Sequence, residues 1–126
     1  MASRPTVLIV EDEFLIAISA ATVFQKAGFE TVEASNADEA IAILKKRDVD
    51  LIFTDVRMPG SMDGLKLARY VRDRWPPVKI MVTSGHHIVQ NGDLPDGGVF
   101  LPKPYTDAAI VAAISRLNGG QVTALR

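Results

Sequence analysis

Leu51-Ile52-Phe53-Thr54-Asp55 is a strand-forming run without polar alternation, and it ends abruptly in a carboxylate. A strand with one wet face alternates apolar and polar residues. A run of five that does not alternate needs cover on both faces, the condition of a central strand in a parallel sheet. In open α/β sheets, ligands gather in the crevice outside the carboxyl ends of the strands. Asp55 is therefore expected at such an edge.

The flanking sequence alternates strand and helix signals. Thr6–Val10 is β-branched and apolar, and Phe14–Lys26 is helical in composition and closed by Gly28. Glu30–Ala34 is a weaker strand. Ser35 or Asn36 can cap the next helix, with Asp38 and Glu39 in its first turn and Lys45, Lys46 and Arg47 in its last, charges that complement the helix dipole. After Asp55 come a loop from Val56 to Gly64, a helix from about Leu65 to Trp75 stopped by Pro76 and Pro77, and a strand from Val78 to about Ser84. Between His86 and Gly98 the rhythm breaks. Gly92, Pro95, Gly97 and Gly98 leave no apolar 3.6-residue period there, so the fourth helix is expected to be short or absent. Val99–Leu101 makes a short fifth strand, and Asp107–Leu117 a last helix with Ile110, Ala113, Ile114 and Leu117 on one face.

Five βα units with right-handed crossovers predict an α/β fold, a doubly wound five-stranded parallel sheet in the flavodoxin-like order 2-1-3-4-5. The 126 residues fit a single domain, with a core over 6–117 and a frayed tail over 118–126, and Met1 with the short tail suggests a complete chain. Fourteen Lys and Arg against fifteen Asp and Glu give a net charge of −1, which offers no bulk attraction to nucleic acid or anionic lipid. With no cysteine, thiolate metal sites and disulfides are excluded. No signal peptide and no apolar stretch of about 20 residues is present, so a cytoplasmic location without a membrane partner is expected.

In the predicted order the first and third strands are neighbours, which brings Glu11 and Asp12 beside Asp55. Like charges this close repel, and a raised pKa or a bound cation must relieve the repulsion. Oxygen donors without His or Cys suit a hard cation, and Mg²⁺ fits because it binds through few carboxylates and shares phosphate oxygens. A solvated acidic turn is the plainer alternative and stays open at this point. Phosphate-binding loops of this fold class place Gly or hydroxyl residues after the first strand, whereas Glu11, Asp12 and Glu13 stand here, which argues against a flavin or nucleotide site. At the far side of the sheet, Thr83 and Ser84 end the fourth strand with hydroxyls. Lys103 follows the fifth, between Pro102 and Pro104, which restrict the backbone around it.

Taken together, Glu11-Asp12, Asp55-Val56-Arg57-Met58-Pro59-Gly60, Ser84-Gly85 and Lys103-Pro104 resemble, in order and place, the receiver domain of two-component response regulators over Thr6 to about Leu117. The resemblance implies that Asp55 accepts a phosphoryl group from a phosphohistidine on a sensor histidine kinase or histidine phosphotransfer protein. It further implies that Asp12, Asp55 and the backbone carbonyl of Arg57 hold Mg²⁺, assisted by Glu11 through water. Lys103 would pair with the phosphoryl oxygens and Ser84, with Thr83 as the alternative, would hydrogen-bond one of them. Phe100 stands where the family carries an aromatic that turns inward when the hydroxyl residue moves. On this reading the protein is no enzyme beyond its own phosphorylation and dephosphorylation, and it signals to an unidentified downstream protein or serves as a phosphate shuttle or sink.

The sequence departs from the family pattern in three places. The loop from Val56 to Gly64 is one residue longer than the common form, two hydroxyls replace one at Thr83-Ser84, and the fourth helix is degraded. His86 and His87 fall in the degraded segment, with no partner at metal-ligand spacing. A small metal-dependent phosphohydrolase on the same scaffold is the alternative function, but it wants an acid or base two residues past the nucleophile, where Arg57 stands. Finally, the first helix is apolar almost all round, from Phe14 to Phe24, although a core stripe needs only about 100° of it, so some of these residues, Phe14 first, are expected to face outward as a docking surface.

Overall fold

The computed structural model of the chain describes residues 4–85 and 89–117. Its elements run β1 (Thr6–Val10), α1 (Phe14–Lys26), β2 (Glu30–Ala34), α2 (Ala37–Lys46), β3 (Leu51–Asp55), α3 (Gly64–Arg74), β4 (Lys79–Ser84), β5 (Val99–Pro102) and α4 (Asp107–Leu117). The strands form one parallel sheet in the order β2-β1-β3-β4-β5, as the alternation of units predicts. The tail and the pair His86 and His87 lie outside the described residues.

Burial along the strands follows their position in the sheet. Every residue of β1 and β3 is buried, because each has a neighbouring strand on both sides and helices on both faces. The edge strands β2 and β5 are only half covered. Alternate residues feed two separate cores. Val7, Ile9, Phe53 and Met81 pack against α1 and α4, while Leu8, Val10, Ile52 and Val82 pack against α2 and α3. At ~25 cal/mol per Å² of apolar surface removed from water, these two layers are the main force holding the sheet. Phe24 anchors the first layer with edge-on contacts to Phe29 and Phe53 at 5.6 and 5.3 Å between ring centres.

Local signals explain most helix ends. Of the two candidate caps for α2, Asn36 makes the cap: its Oδ1 accepts from the Glu39 N–H at 2.9 Å, and Glu39 returns a bond from the Ser35 N–H at 2.8 Å. Asp63 caps α3 by accepting from the Lys66 N–H at 2.9 Å, so α3 starts one residue before the expected Leu65. The long β3–α3 loop is tied down by the Ser61 hydroxyl, which donates to Asp38 of α2 at 2.8 Å. Between β4 and β5, the described residues hold a single 3₁₀ turn, Asn91–Asp93, where a doubly wound fold normally carries a helix.

Candidate functional site

The β1–β3 pairing, with Val10 opposite Thr54, brings the loop after β1 to the end of β3. Glu11, Asp12 and Asp55 each offer a carboxylate oxygen, all within 4.8 Å of one another, and Glu11 and Asp55 are 6% and 7% exposed while Asp12 is open to solvent. Lys103 reaches them from the end of β5. Its ammonium donates to Asp55 Oδ2 at 2.9 Å and to Glu11 Oε1 at 3.2 Å. The lysine therefore supplies the positive charge that two buried carboxylates in contact require, so in the protein alone the repulsion is already partly relieved.

The backbone builds the rest of this corner. The Glu13 N–H donates to Glu11 Oε2 at 3.1 Å, which leaves Oε1 for Lys103, and the Arg57 N–H lies 3.4 Å from Asp55 Oδ1. Gly64 opens α3 directly behind Asp55. A Cβ there would fall 1.9 Å from the Asp55 carbonyl oxygen and 2.9 Å from the Val56 Cα, so only glycine lets the helix begin this close. Its N–H closes the loop on the Val56 carbonyl at 2.8 Å.

Electrostatic shifts follow from this packing. Burial pushes the Glu11 carboxyl above its ordinary value, against the Glu13 N–H and the Lys103 charge, which pull it down. For Lys103 burial acts downward and is the largest single influence, but the hydrogen bonds and charges of Asp55 and Glu11 together outweigh it and hold the ammonium above its ordinary value. Burial also raises the Tyr105 phenol.

A cleft of about 790 Å³ opens over the cluster, lined by Asp12, Asp55, Arg57, Ser84, Lys103 and Tyr105 among others. Ser84 lines it; Thr83, the alternative hydroxyl, does not, and its Oγ1 is buried with no hydrogen-bond partner among the described residues. Strand alternation separates the two, since Val82 and hence Ser84 face α2 and α3 while Met81 and hence Thr83 face α1 and α4. Phe100 is half-buried on the same side as Ser84, paired with Val82 one step down the β4–β5 ladder. The donor set suits a hard divalent cation. Three carboxylate oxygens within 4.8 Å of one another, with no nitrogen or sulfur donor among them, are the kind of group that would hold Mg²⁺, directly or through its waters.

A family model described as the response regulator receiver domain matches residues 7–115. The chain belongs to this receiver-domain family. A response regulator receiver protein from Sinorhizobium medicae WSM419 shares the fold with a TM-score of 0.83 and 29% identity, each chain covered over 98% of its length. The sensor kinase CckA of Brucella abortus (strain 2308) is 30% identical over 122 residues, which are 93% of this chain and 13% of CckA. The aerobic respiration control protein ArcA of Escherichia coli (strain K12) is 36% identical over 70 residues, which are 56% of this chain and 29% of ArcA. The chain thus spans less than a third of the length of these curated relatives.

Within the receiver, two contributions escape sequence reasoning. Tyr105 joins the cleft wall, its ring edge-on to Phe53 at 5.9 Å, and its signal is the aromatic directly after Lys103-Pro104. On α3, Arg69 donates to the carbonyls of Gly92 and Asp93 at 3.3 and 3.0 Å, and Arg72 donates to those of Val78 at 3.1 Å and Asp96 at 2.9 Å. Two arginines three apart on a helix, facing a glycine-rich stretch, were the available sign of this second arrangement.

Proposed function

We propose that this receiver domain is a phospho-acceptor switch in which Asp55 takes a phosphoryl group from a phosphohistidine of a sensor kinase or histidine phosphotransfer protein. The observation that carries the reading is the Lys103 ammonium within 2.9 Å of Asp55, beside the oxygen cluster of Glu11 and Asp12. In the transfer an Asp55 carboxylate oxygen bonds to phosphorus as the bond from phosphorus to the donor imidazole nitrogen breaks, and the imidazole departs with that electron pair. The transition state is loose, so positioning and charge neutralisation do most of the work. Lys103 lies close enough to pair with the arriving phosphoryl oxygens, and Ser84 offers a hydroxyl from the cleft wall. A Mg²⁺ held by Asp12, Asp55 and the carbonyl of Arg57, with Glu11 acting through water, would neutralise further charge on the transferred oxygens. The domain then signals by changed partner binding or passes the phosphoryl group on, and hydrolysis of its own acyl phosphate resets it. Family membership leaves the phosphohydrolase alternative unfavoured, and Arg57 still occupies the place where it needs an acid or base.

Incubation with a small phosphodonor and Mg²⁺, followed by intact mass, tests the reading. A gain of one phosphoryl group is expected in the wild type and none in Asp55→Asn or in excess chelator. A gain that persists in either would place the chemistry elsewhere.

The donor approaches, on this proposal, along the start of α1. Phe14 and Leu15 are 70% and 77% exposed, next to Glu13 and Ile16 in the wall of the cleft. Such an apolar rim suits the helices that carry a donor histidine. Phe14→Ser is expected to slow transfer from a kinase and leave reaction with a small phosphodonor unchanged; equal loss with both donors would assign the residue to folding instead.

A further inference from the structure

Lys103 is delivered to the cleft by a short edge strand of the sheet. β5 has four residues and one neighbour, its Val99 and Phe100 are half exposed, and no regular helix among the described residues precedes it. What holds the chain on its way into β5 is α3. Val89 and Leu94 pack against the core under α3, and Arg69 and Arg72 bind the same 89–98 segment at carbonyls three to four residues apart. A spacing of i and i+3 puts both guanidinium groups on one face of the helix, so they grip the segment as a pair.

Arg72 does more than tie one carbonyl. It also donates to Pro76 and Val78, so one guanidinium joins the end of α3, the approach to β4 and the approach to β5. No ion pair to Arg69 or Arg72 is seen among the described residues, and backbone carbonyls take these donors instead. The planar fork with several donors is what allows this, and an ammonium offers no equivalent geometry. Immediately after Asp96, Gly97 takes φ of +79° and the Gly98 N–H closes a turn on Pro95 at 2.9 Å, and the chain enters β5 at Val99. Lys103 follows four residues later, its N–H bonded to the Ser84 carbonyl at 3.0 Å.

We propose that Arg72, with Arg69, is a positioning residue for phosphoryl transfer: the pair clamps the 89–98 segment to α3 and so sets the register in which β5 presents Lys103 to Asp55. This rests on the phospho-acceptor reading above. The grip on the 89–98 segment bears on β5, whereas Glu11, Asp12 and Asp55 come from the ends of β1 and β3, which are buried throughout; of the arginines' partners, Val78 alone leads directly into a strand paired with β3, and its packing in the core beside Ile52 holds it without the guanidinium.

The test uses the full chain, a small phosphodonor, and Mg²⁺ binding by calorimetry. Arg72→Ala is expected to slow phosphorylation about tenfold, within the range that sub-ångström to ångström misplacement of a charge-stabilising group costs, while Mg²⁺ affinity stays within about twofold of wild type because the carboxylates do not move. Arg72→Lys should recover only part of the rate. Arg74→Ala is the control and should match wild type, since Arg74 lies over the Tyr70 ring at 5.0 Å, away from the segment. The decisive arm is a double-mutant cycle: if Arg72 acts through Lys103, Arg72→Ala adds no further loss in a Lys103→Ala background. Should Arg72→Ala fail to fold, Arg69→Ala carries the same expectation with a smaller loss, as it removes only the Gly92 and Asp93 contacts. A wild-type rate in the folded arginine variant, an additive loss in the cycle, or rate and Mg²⁺ affinity falling together overturns the clamp. If the wild type itself is not phosphorylated at Asp55, the phospho-acceptor reading fails first, and faster amide exchange in 99–103 of Arg72→Ala still tells whether the arginines hold β5.

Discussion

Asp55 ends a strand that has a neighbour on each side and no exposed residue, whereas Lys103 follows a strand with one neighbour, four residues and half-covered side chains. The two groups meet at 2.9 Å all the same. On the β1–β3 side the position of the carboxylates is a by-product of the core, because displacing them means unpacking Val7, Ile9, Phe53 and Ile52 from two layers. On the β5 side the core holds Leu101 fully and Val99 and Phe100 in part, and more of the hold is left to hydrogen bonds: the bond from the Lys103 N–H to the Ser84 carbonyl and the arginine contacts to the 89–98 segment. Regions held by few apolar contacts open at lower free energy than a core strand. On the proposed function, a rigid acceptor facing a more easily displaced cation is a sensible division, since the cation would change partners when the phosphoryl group arrives and the acceptor would not.

The largest expected effect attacks the rigid side. Gly64→Ala drives a Cβ into the Asp55 and Val56 backbone, and relief requires moving either α3 or the end of β3. A loss of about 3 kcal/mol in denaturant unfolding is expected, at the upper end for overpacking. A loss below about 1 kcal/mol would mean that this corner yields as easily as the β5 side, and the contrast would break.

Lys103→Ala comes next and addresses the cation. It leaves Glu11 and Asp55 buried without their shared partner, for which about 2 kcal/mol of stability is expected near neutral pH. The pH dependence has a definite sign. The folded-state value for Lys103 lies above its ordinary 10.5, so its contribution is fully present below about that pH and is lost as pH rises through the folded-state value. The Glu11 carboxyl is raised by burial, so its ionised form costs stability above the carboxylate range and protonation removes that cost. The gap between mutant and wild type should therefore be widest near neutrality and narrow toward both extremes. A gap that widens on acidification would contradict the pairing.

The smallest effect sharpens the comparison at its edge. Asp12 is exposed, and Lys103 already offsets the charge of its two neighbours, so Asp12→Ala is expected to stabilise the metal-free protein by about 0.5 kcal/mol or less. Its main consequence should be weaker Mg²⁺ binding, seen as a smaller rise in melting temperature on adding the ion. A mutant that melts lower than wild type without metal would show that Asp12 is held by attractive contacts.

Much of this was legible in the chain, for reasons that can be named. Unalternating β1 and β3 runs announce burial on both faces, the bounds Phe14–Lys26 and Asp107–Leu117 follow from local composition and end signals, and a glycine-rich stretch without apolar period cannot sustain a helix. Chain order with right-handed crossovers then implies the strand order, and with it the meeting of Glu11, Asp12 and Asp55. These are properties of short windows, and short windows are what local backbone physics reads. Tertiary structure decided the rest. Whether Ser84 or Thr83 reaches the cleft depends on where β4 ends against its neighbours, with Thr83 level with Asp55 and Ser84 one residue beyond, a register that pairing with β3 and β5 sets and that composition cannot. Lys103 could be read as a partner for an incoming phosphoryl group, but its existing bond to Glu11 spans 92 residues and exists only because two loops end at the same edge. The need for glycine at 64 comes from a backbone that approaches from β3. The arginines of α3 read as ordinary solvated charges until the 89–98 segment is laid across them, because a donor's role depends on which acceptors packing leaves unsatisfied within its reach.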